Sequence, residues 1–186
     1  QHIYVSKAQE KGYEVLILDS PIVSHVIQKL ESKLENSSFV RVDSDIIDNL
    51  IKKDKKLESV LSEEEQKKLK PLFEKELSKE GFVVSFEALN PSSPPISITQ
   101  SEFMRRMKEM SLTGGGPMTG MGQMPDSYNL VINSNHSLIN KIINLKGKKK
   151  HALIQQSIHL ALLSQNLLKG ENLTKYVQNC FDDLSS

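Results

Sequence analysis

"HALIQQSIHLALLSQNLLKGENLTKYVQNCFDDL" runs from His151 to Leu184 and contains two helical patterns on either side of Gly170. In the second pattern, apolar residues recur at i, i+3, i+4, i+7, i+8 and i+11, which is the spacing of a single helix face. They are Leu173, Tyr176, Val177, Cys180, Phe181 and Leu184. This spacing predicts an amphipathic final helix over 173–184.

The preceding helix, predicted over Lys150 to Leu168, has two apolar stripes. One consists of Ile154, Ile158, Ala161 and Leu168, and the other of Leu153, Leu160, Leu163 and Leu167. A helix with two apolar sides needs neighbours on both, and the final helix can cover only one. A second copy of the hairpin would cover the other in a four-helix bundle across a two-fold axis. The alternative is that both helices pack on the chain's own sheet, and periodicity leaves both readings open.

All six methionines and five of the nine glycines lie in "SEFMRRMKEMSLTGGGPMTGMGQMP", from Ser101 to Pro125. Thr99 and Glu102 have the spacing of a capping box, which predicts a helix from about Gln100 to Met110. Its apolar face is Phe103, Met104, Met107 and Met110. Either this face is core, or it is an exposed patch, because methionine adapts to varied surfaces and the glycine-rich loop 111–126 is costly to order.

Residues 1–42 predict an α/β unit. A helix ends at Gly12, and the segment Tyr13 to Asp19, which is continuously apolar from Val15 to Leu18, suits a buried strand. Ser20 and Pro21 have the character of the N-cap and first residue of a second helix, with its apolar face at Ile22, Val23, Val26, Ile27, Leu30 and Leu34. Phe39 to Val42 is predicted as a second strand. A domain boundary is placed after residue 42.

The remainder, 43–186, predicts an α+β domain. Ser62 and Glu65 form a capping box before a helix with Leu69, Leu72, Phe73 and Leu77 on its buried stripe, ending at Gly81. The segments 82–89 and 96–99 and the segment after Pro125 predict a three-stranded antiparallel sheet with helices on one side. A short helix follows from His136 to Leu145, and "KGKKK" is expected to break it.

No catalytic or cofactor motif is found. The glycine-rich stretch has neither Walker nor Rossmann spacing. Cys180 lies on an apolar helix face, which favours a core thiol over a nucleophile. His151 and His159 lack carboxylates at metal-ligand spacing. A formal net charge of +1 gives no general attraction for nucleic acid, and no apolar run could span a membrane. We therefore expect no catalytic, cofactor or metal site.

Five segments of the chain resemble the C-terminal third of bacterial members of the heat-shock protein 90 family of ATP-dependent chaperones. They are "KGYEVLILDSPI", "FVRVD", "PISITQSEFMRRMKEM", "PDSYNLVINSNHSLINKI" and "HLALLSQNLLKG". The resemblance implies that 1–42 is the end of the middle domain, a small α/β/α subdomain, and that 43–186 is the C-terminal dimerisation domain. It also implies a cytoplasmic homodimer that binds unfolded or partly folded client proteins.

The resemblance assigns residues to two surfaces. The implied dimer interface comprises Leu153, Ile154, Ser157, Ile158, Leu160, Ala161, Leu163, Leu167, Leu173, Tyr176, Val177, Cys180, Phe181 and Leu184. The implied client contacts are Phe103, Met104, Met107, Met110, Leu112, Met118 and Met121. ATP and magnesium would bind in an N-terminal domain that is absent here, so no ATPase activity is expected. The ending "CFDDLSS" lacks the acidic tail that docks tetratricopeptide co-chaperones. A purely structural dimerisation module with a buried methionine helix is the alternative.

Overall fold

The computed structural model describes residues 2–20, 22–37, 39–45, 57–77, 81–101, 103–106 and 127–185. These residues contain seven helices and a sheet of three strands, which confirms an α+β fold. The chain forms two compact units, Gln1–Lys53 with Thr99–Tyr128 and Asp54–Ile98 with Asn129–Ser186. We call them the first and second unit. The sequence-based domain assignment stays a prediction.

The first unit contains α1 (His2–Glu10) and α2 (Val23–Lys33). α1 ends where predicted, because Gly12 has a φ of 78° and the chain reverses there. The N–H of Tyr13 donates to the carbonyl of Ala8 at 3.0 Å, and that of Gly12 donates to the carbonyl of Gln9 at 2.8 Å. These two bonds form a Schellman motif, which a glycine at this position favours. Among the described residues of this unit, the buried apolar side chains are those of Tyr4, Ala8 and Ile27.

The two strands predicted for the first unit are wrong. Residues 13–20 and 39–41 have no regular secondary structure, and Ile17 is 84% exposed. An apolar run forms a strand only when another strand satisfies its backbone groups, and no described residue of this unit does so here. The start of α2 also differs, since Ile22 and not Ser20 is its N-cap. Of the predicted apolar face of α2, Ile27 is buried, whereas Ile22, Val26, Leu30 and Leu34 are exposed.

The second unit is built on a sheet of β1 (Phe82–Glu87), β2 (Ile96–Thr99) and β3 (Tyr128–Asn133), in the order β1-β3-β2. The N–H of Asn133 donates to the carbonyl of Pro95 at 2.9 Å, so the end of β3 lies beside the start of β2. The N–H of Ser134 donates to the carbonyl of Glu87 at 2.9 Å, so β3 and β1 end together. The sheet is therefore mixed, and the prediction of an antiparallel sheet is wrong.

The central position of β3 explains its burial. Leu130 and Ile132 alternate along the strand and so share one face, and both are fully buried. Val131 on the opposite face is also buried, because neighbouring elements cover both sides of the central strand. The apolar strand residues Val84, Ile96 and Ile98 complete the sheet's contribution to the core.

The helix α3 (Glu63–Glu76) begins at the predicted capping box of Ser62 and Glu65. Its Leu69 and Phe73 are completely buried, and the ring of Phe73 meets that of Phe86 edge-on at 6.3 Å. The helix ends at Glu76 and not at Gly81.

The last three helices are α5 (Ser137–Asn144), α6 (Gly147–Ser164) and α7 (Gly170–Ser185). α6 starts three residues before the predicted Lys150 and ends before the predicted Leu168. The reversal that ends α6 uses Asn166, whose φ is 57°, because asparagine tolerates the left-handed region. Gly170, predicted to end α6, instead opens α7.

Candidate functional site

One side of α6 is packed inside the single chain. Ile154, Ile158 and Ala161 are buried on this side, where α6 contacts α3 and α5. Ser157 is buried beside them and donates from Oγ to the carbonyl of Leu153 at 2.6 Å. These four predicted interface residues thus lie in the core of the second unit. Their participation in a dimer stays a prediction.

The opposite side of α6 and one side of α7 are uncovered. Leu160 is 55% exposed, Phe181 61% and Leu184 84%. No side chain of α7 is buried, although all sixteen residues of that helix are described. We define the hairpin face as the five exposed apolar side chains Leu160, Leu163, Val177, Phe181 and Leu184. The other predicted interface residues are half-buried, namely Leu153, Leu167, Leu173, Tyr176 and Cys180.

Two side-chain contacts join α6 to α7. The rings of His159 and Tyr176 meet edge-on with centroids 5.6 Å apart. Towards the C-terminus, Nε2 of Gln156 donates to Oδ2 of Asp183 at 3.3 Å. Burial lowers the pKa of His159, against a smaller opposing effect of Glu76. Burial and a hydrogen bond with Cys180 raise the pKa of Tyr176. Both rings are therefore neutral near pH 7, so their contact carries no charge.

The predicted methionine helix is described over residues 103–106, which we label α4. The N–H of Arg105 donates to the carbonyl of Ser101 at 3.0 Å within its first turn. Phe103 is 69% exposed and Met104 is half-buried. The other predicted client contacts, Met107, Met110, Leu112, Met118 and Met121, lie outside the described residues. Of the predicted capping box, Thr99 is the buried last residue of β2, and Glu102 lies outside the described residues.

Arg106 is tied to α2 by a polar network that sequence reasoning missed. Nη1 of Arg106 donates to Oε2 of Glu31 at 2.8 Å, and Nη2 donates to Oε1 at 3.2 Å. Nη2 also donates to the carbonyl of Phe39 at 2.8 Å. The N–H of Phe39 donates back to Oε1 of Glu31 at 2.8 Å. Because 75 residues separate Glu31 from Arg106, no local pattern could have indicated the pair.

The network changes the protonation of Glu31. Its hydrogen bonds with Arg106 and then with the backbone of Phe39 lower the pKa of the Glu31 carboxyl, outweighing burial. Glu31 is therefore charged throughout the neutral range, and both side chains of the pair are largely covered, at 27% and 22% exposure. Hydrogen bonds between charged groups, such as these, are shorter and stronger than hydrogen bonds between neutral groups.

The described residues show no other chemical centre. Within the described ranges, no group of three or more histidine, cysteine, aspartate or glutamate side chains is placed to hold a metal ion. None of the helices described here combines the length and apolarity that crossing a bilayer requires.

No protein-family model matches the chain. Curated relatives do match it, and each is named chaperone protein HtpG. The Porphyromonas gingivalis protein is 46% identical over 153 residues, or 81% of this chain. The Bacteroides thetaiotaomicron protein is 40% identical over 181 residues, or 94% of this chain. The chain belongs to the HtpG family.

The Bacteroides fragilis HtpG gives the same result, at 43% identity over 157 residues and 83% of this chain. The chain spans about a quarter of the length of these HtpG relatives, between 22% and 26%. The resemblance to heat-shock protein 90 chaperones is confirmed by these names. The hairpin face and α4 therefore belong to a chain that corresponds to one part of HtpG.

Proposed function

We propose that this chain is the homodimerisation and client-contact part of an HtpG-type chaperone, corresponding to the C-terminal part of its relatives. The hairpin face carries the proposal of dimerisation, because it leaves five large apolar side chains in solvent on two adjacent helices. Apolar patches of this kind mark interaction sites. The exposed Phe103 of α4 supports the proposed client contact.

The free energy available from covering the hairpin face is large compared with the stability of one isolated helix. Burying a large apolar side chain contributes about 1.5–3 kcal/mol. The five residues of the hairpin face would therefore contribute roughly 8–15 kcal/mol per subunit as an upper bound, before the costs of association. α7 has no buried side chain of its own, so a partner is the natural source of its stability.

A second copy of the chain is the simplest partner for the hairpin face. The same patch on two subunits can meet across a two-fold axis, so each helix of one hairpin gains a neighbour from the other. The result is a four-helix bundle, in which the half-buried Leu153, Leu167 and Leu173 would become covered as well.

We predict that replacing Leu160 and Phe181 together with glutamate yields monomers. Two charges in the middle of the apolar contact would have to be buried unpaired, which a dimer cannot accommodate. The molar mass at micromolar concentration, measured by light scattering after gel filtration, should fall from that of two chains to that of one.

Val60→Glu is the matched control, since Val60 lies in the same unit, is 66% exposed and is not on the hairpin face. It should leave the mass unchanged. A dimer that persists in the Leu160→Glu, Phe181→Glu variant would exclude this face as the interface.

We predict that replacing Phe103 and Met104 with serine weakens client binding without changing the fold or the dimer. Methionine and phenylalanine on an exposed helix repack against varied apolar surfaces, whereas serine offers no such contact. The dissociation constant for a permanently unfolded, carboxymethylated protein should rise about tenfold or more, as expected when about 1.4 kcal/mol is lost. Fluorescence anisotropy measures this change.

Leu57→Ser controls for the general loss of an exposed apolar side chain, because Leu57 is 51% exposed and belongs to the other unit. An unchanged affinity in the Phe103, Met104 variant would leave the alternative, a structural dimerisation module without client contacts. Oxidation of Met104 by dilute peroxide separates the two further, since only an accessible thioether reacts quickly.

We further propose that ATP and magnesium bind outside this chain and that the longer protein works in the bacterial cytoplasm. This proposal rests on the likeness to heat-shock protein 90 chaperones and on the quarter of the relatives' length that the chain spans. The purified chain is expected to hydrolyse no ATP. Hydrolysis that survives purification of the chain to homogeneity would contradict this assignment.

A further inference from the structure

The network around Arg106 links three separate segments of the first unit. Arg106 belongs to α4, Glu31 to α2, and Phe39 to the segment that follows α2. Four hydrogen bonds close the arrangement, since Arg106 binds both carboxylate oxygens of Glu31 and the carbonyl of Phe39, whose N–H returns to Glu31. Each of the three residues is therefore hydrogen-bonded to the other two.

The geometry of this network fixes more than a distance. Two parallel hydrogen bonds between a guanidinium and a carboxylate define a common plane, unlike the single contact of a lysine. The third bond, to the carbonyl of Phe39, sets the position of that plane relative to the backbone. Rotation of α4 about its axis would therefore break at least one of these bonds.

The rotation of α4 decides where Phe103 points. Phe103 and Arg106 are three residues apart, which places them on neighbouring positions of the helix surface. With Arg106 bound to Glu31, Phe103 is directed into solvent and is 69% exposed. A turn of the helix that carried Arg106 away from Glu31 would also redirect Phe103.

We propose that Glu31, Arg106 and the backbone of Phe39 form a lock that holds α4 with Phe103 outward and thereby keeps the client-contact surface in place. The inference rests on the proposed client role of Phe103. Glu31 and Arg106 are positioning residues in this scheme, because they act through the placement of α4 and not through contact with a client.

Hydrogen exchange tests the lock without using a client. In the unaltered chain, the N–H of Arg105 donates to the carbonyl of Ser101. In the Arg106→Gln and Glu31→Gln variants, this N–H should exchange with solvent faster than in the unaltered chain. Glu31→Gln is isosteric, so it removes the charge but keeps an oxygen that can accept from Phe39. Arg41→Gln is the matched control, because Arg41 pairs with Asp43 in the same unit and is not one of the three residues that form the lock.

Client affinity provides the second readout. Each lock variant should weaken binding of the carboxymethylated probe by about 2- to 30-fold, the range of coupling through an intermediate residue. The double variant Glu31→Gln, Arg106→Gln should weaken binding of the probe no more than either single change, because the two residues act as a pair. Arg41→Gln should leave both affinity and exchange unchanged.

The outcomes separate the lock from the client role. Unchanged exchange of Arg105 in both lock variants would overturn the lock, even if the Phe103, Met104 variant loses client affinity. Faster exchange in the lock variants with no effect of the Phe103, Met104 variant on affinity would support the lock as the device that holds α4 and would overturn the client role.

Discussion

Asn133, the last residue of β3, is completely buried and has its polar side chain fully used. Its Oδ1 accepts from the N–H of Leu89 at 3.3 Å and from that of Asn135 at 3.1 Å. Its Nδ2 donates to the carbonyl of Asn90 at 2.9 Å. Because a buried unpaired donor or acceptor is costly, this side chain holds the turn after β1 and the end of β3 together.

We predict that Asn133→Ala lowers the free energy of unfolding by about 2–4 kcal/mol, since it leaves several buried backbone groups without partners and creates a cavity. Urea denaturation followed by circular dichroism measures the change. Asn144→Ala is the control, because Asn144 is exposed and its amide bonds only the carbonyl of Asn140 within α5. A loss below about 0.5 kcal/mol at Asn133, the range of surface changes, would contradict the proposed tie.

At the scale of an element, α3 shows how a local signal specifies a helix. The N–H of Ser62 donates to Oε2 of Glu65 at 2.9 Å, and the N–H of Glu65 donates to Oγ of Ser62 at 3.3 Å. Two donors that the helix cannot satisfy internally are thus paired. The bond from the N–H of Ser62, together with one from the Ser62 hydroxyl to Oε2 at 3.0 Å, lowers the pKa of the Glu65 carboxyl. All of this depends on residues within one turn, so the sequence alone predicts it.

We predict that Ser62→Ala lowers the free energy of unfolding of the second unit by about 0.5–2 kcal/mol, the usual effect of losing a capping oxygen. Ser62→Asp keeps an accepting oxygen and should restore most of the loss. Thermal unfolding of the three proteins side by side provides the measurement. Equal stability of the alanine and aspartate variants would show that the cap adds nothing here.

Elements that depend on distant neighbours could not be predicted in the same way. The apolar run at Leu16 to Leu18 has strand composition, yet no strand among the described residues lies beside it, and its three side chains are exposed. The parallel pairing of β1 with β3 joins segments about forty residues apart, and no local pattern carries that direction. At the candidate surfaces, periodicity predicted the apolar stripes of α6 and α7 and placed Ile158 and Leu160 on different stripes of α6. It could not tell which of those two stripes the chain itself would bury.

At the scale of the whole molecule, the chain order and the compact units do not coincide. Thr99–Tyr128 leaves the second unit after β2, belongs with Gln1–Lys53, and returns at β3. The tie between Arg106 and Glu31 lies within the first unit and depends on this excursion. This excursion could not be predicted from the sequence, because nothing in the order of residues reveals which earlier segment the methionine-rich stretch will meet.

We predict that the thermal stability of the chain depends on its concentration. A folded dimer in equilibrium with unfolded monomers gains about 1.4 kcal/mol per mole of dimer for each tenfold rise in concentration. Calorimetry over a hundredfold range should show a steadily rising Tm for the chain. The Leu160→Glu, Phe181→Glu variant should show none of this rise, and a concentration-independent Tm for the unaltered chain would argue for a monomer.

The absence of any buried side chain in α7 bears on how such a protein is made. Under the proposed dimerisation, a newly synthesised subunit would hold a helix that its own fold leaves uncovered, so its maturation would include an encounter between two molecules. Until that encounter, the hairpin face would be exposed to other proteins in the cell. At a low concentration of the chain, the time before two subunits meet would lengthen. Under the proposed client role, a subunit that has not yet met its partner would itself need the shielding that a chaperone gives to other chains.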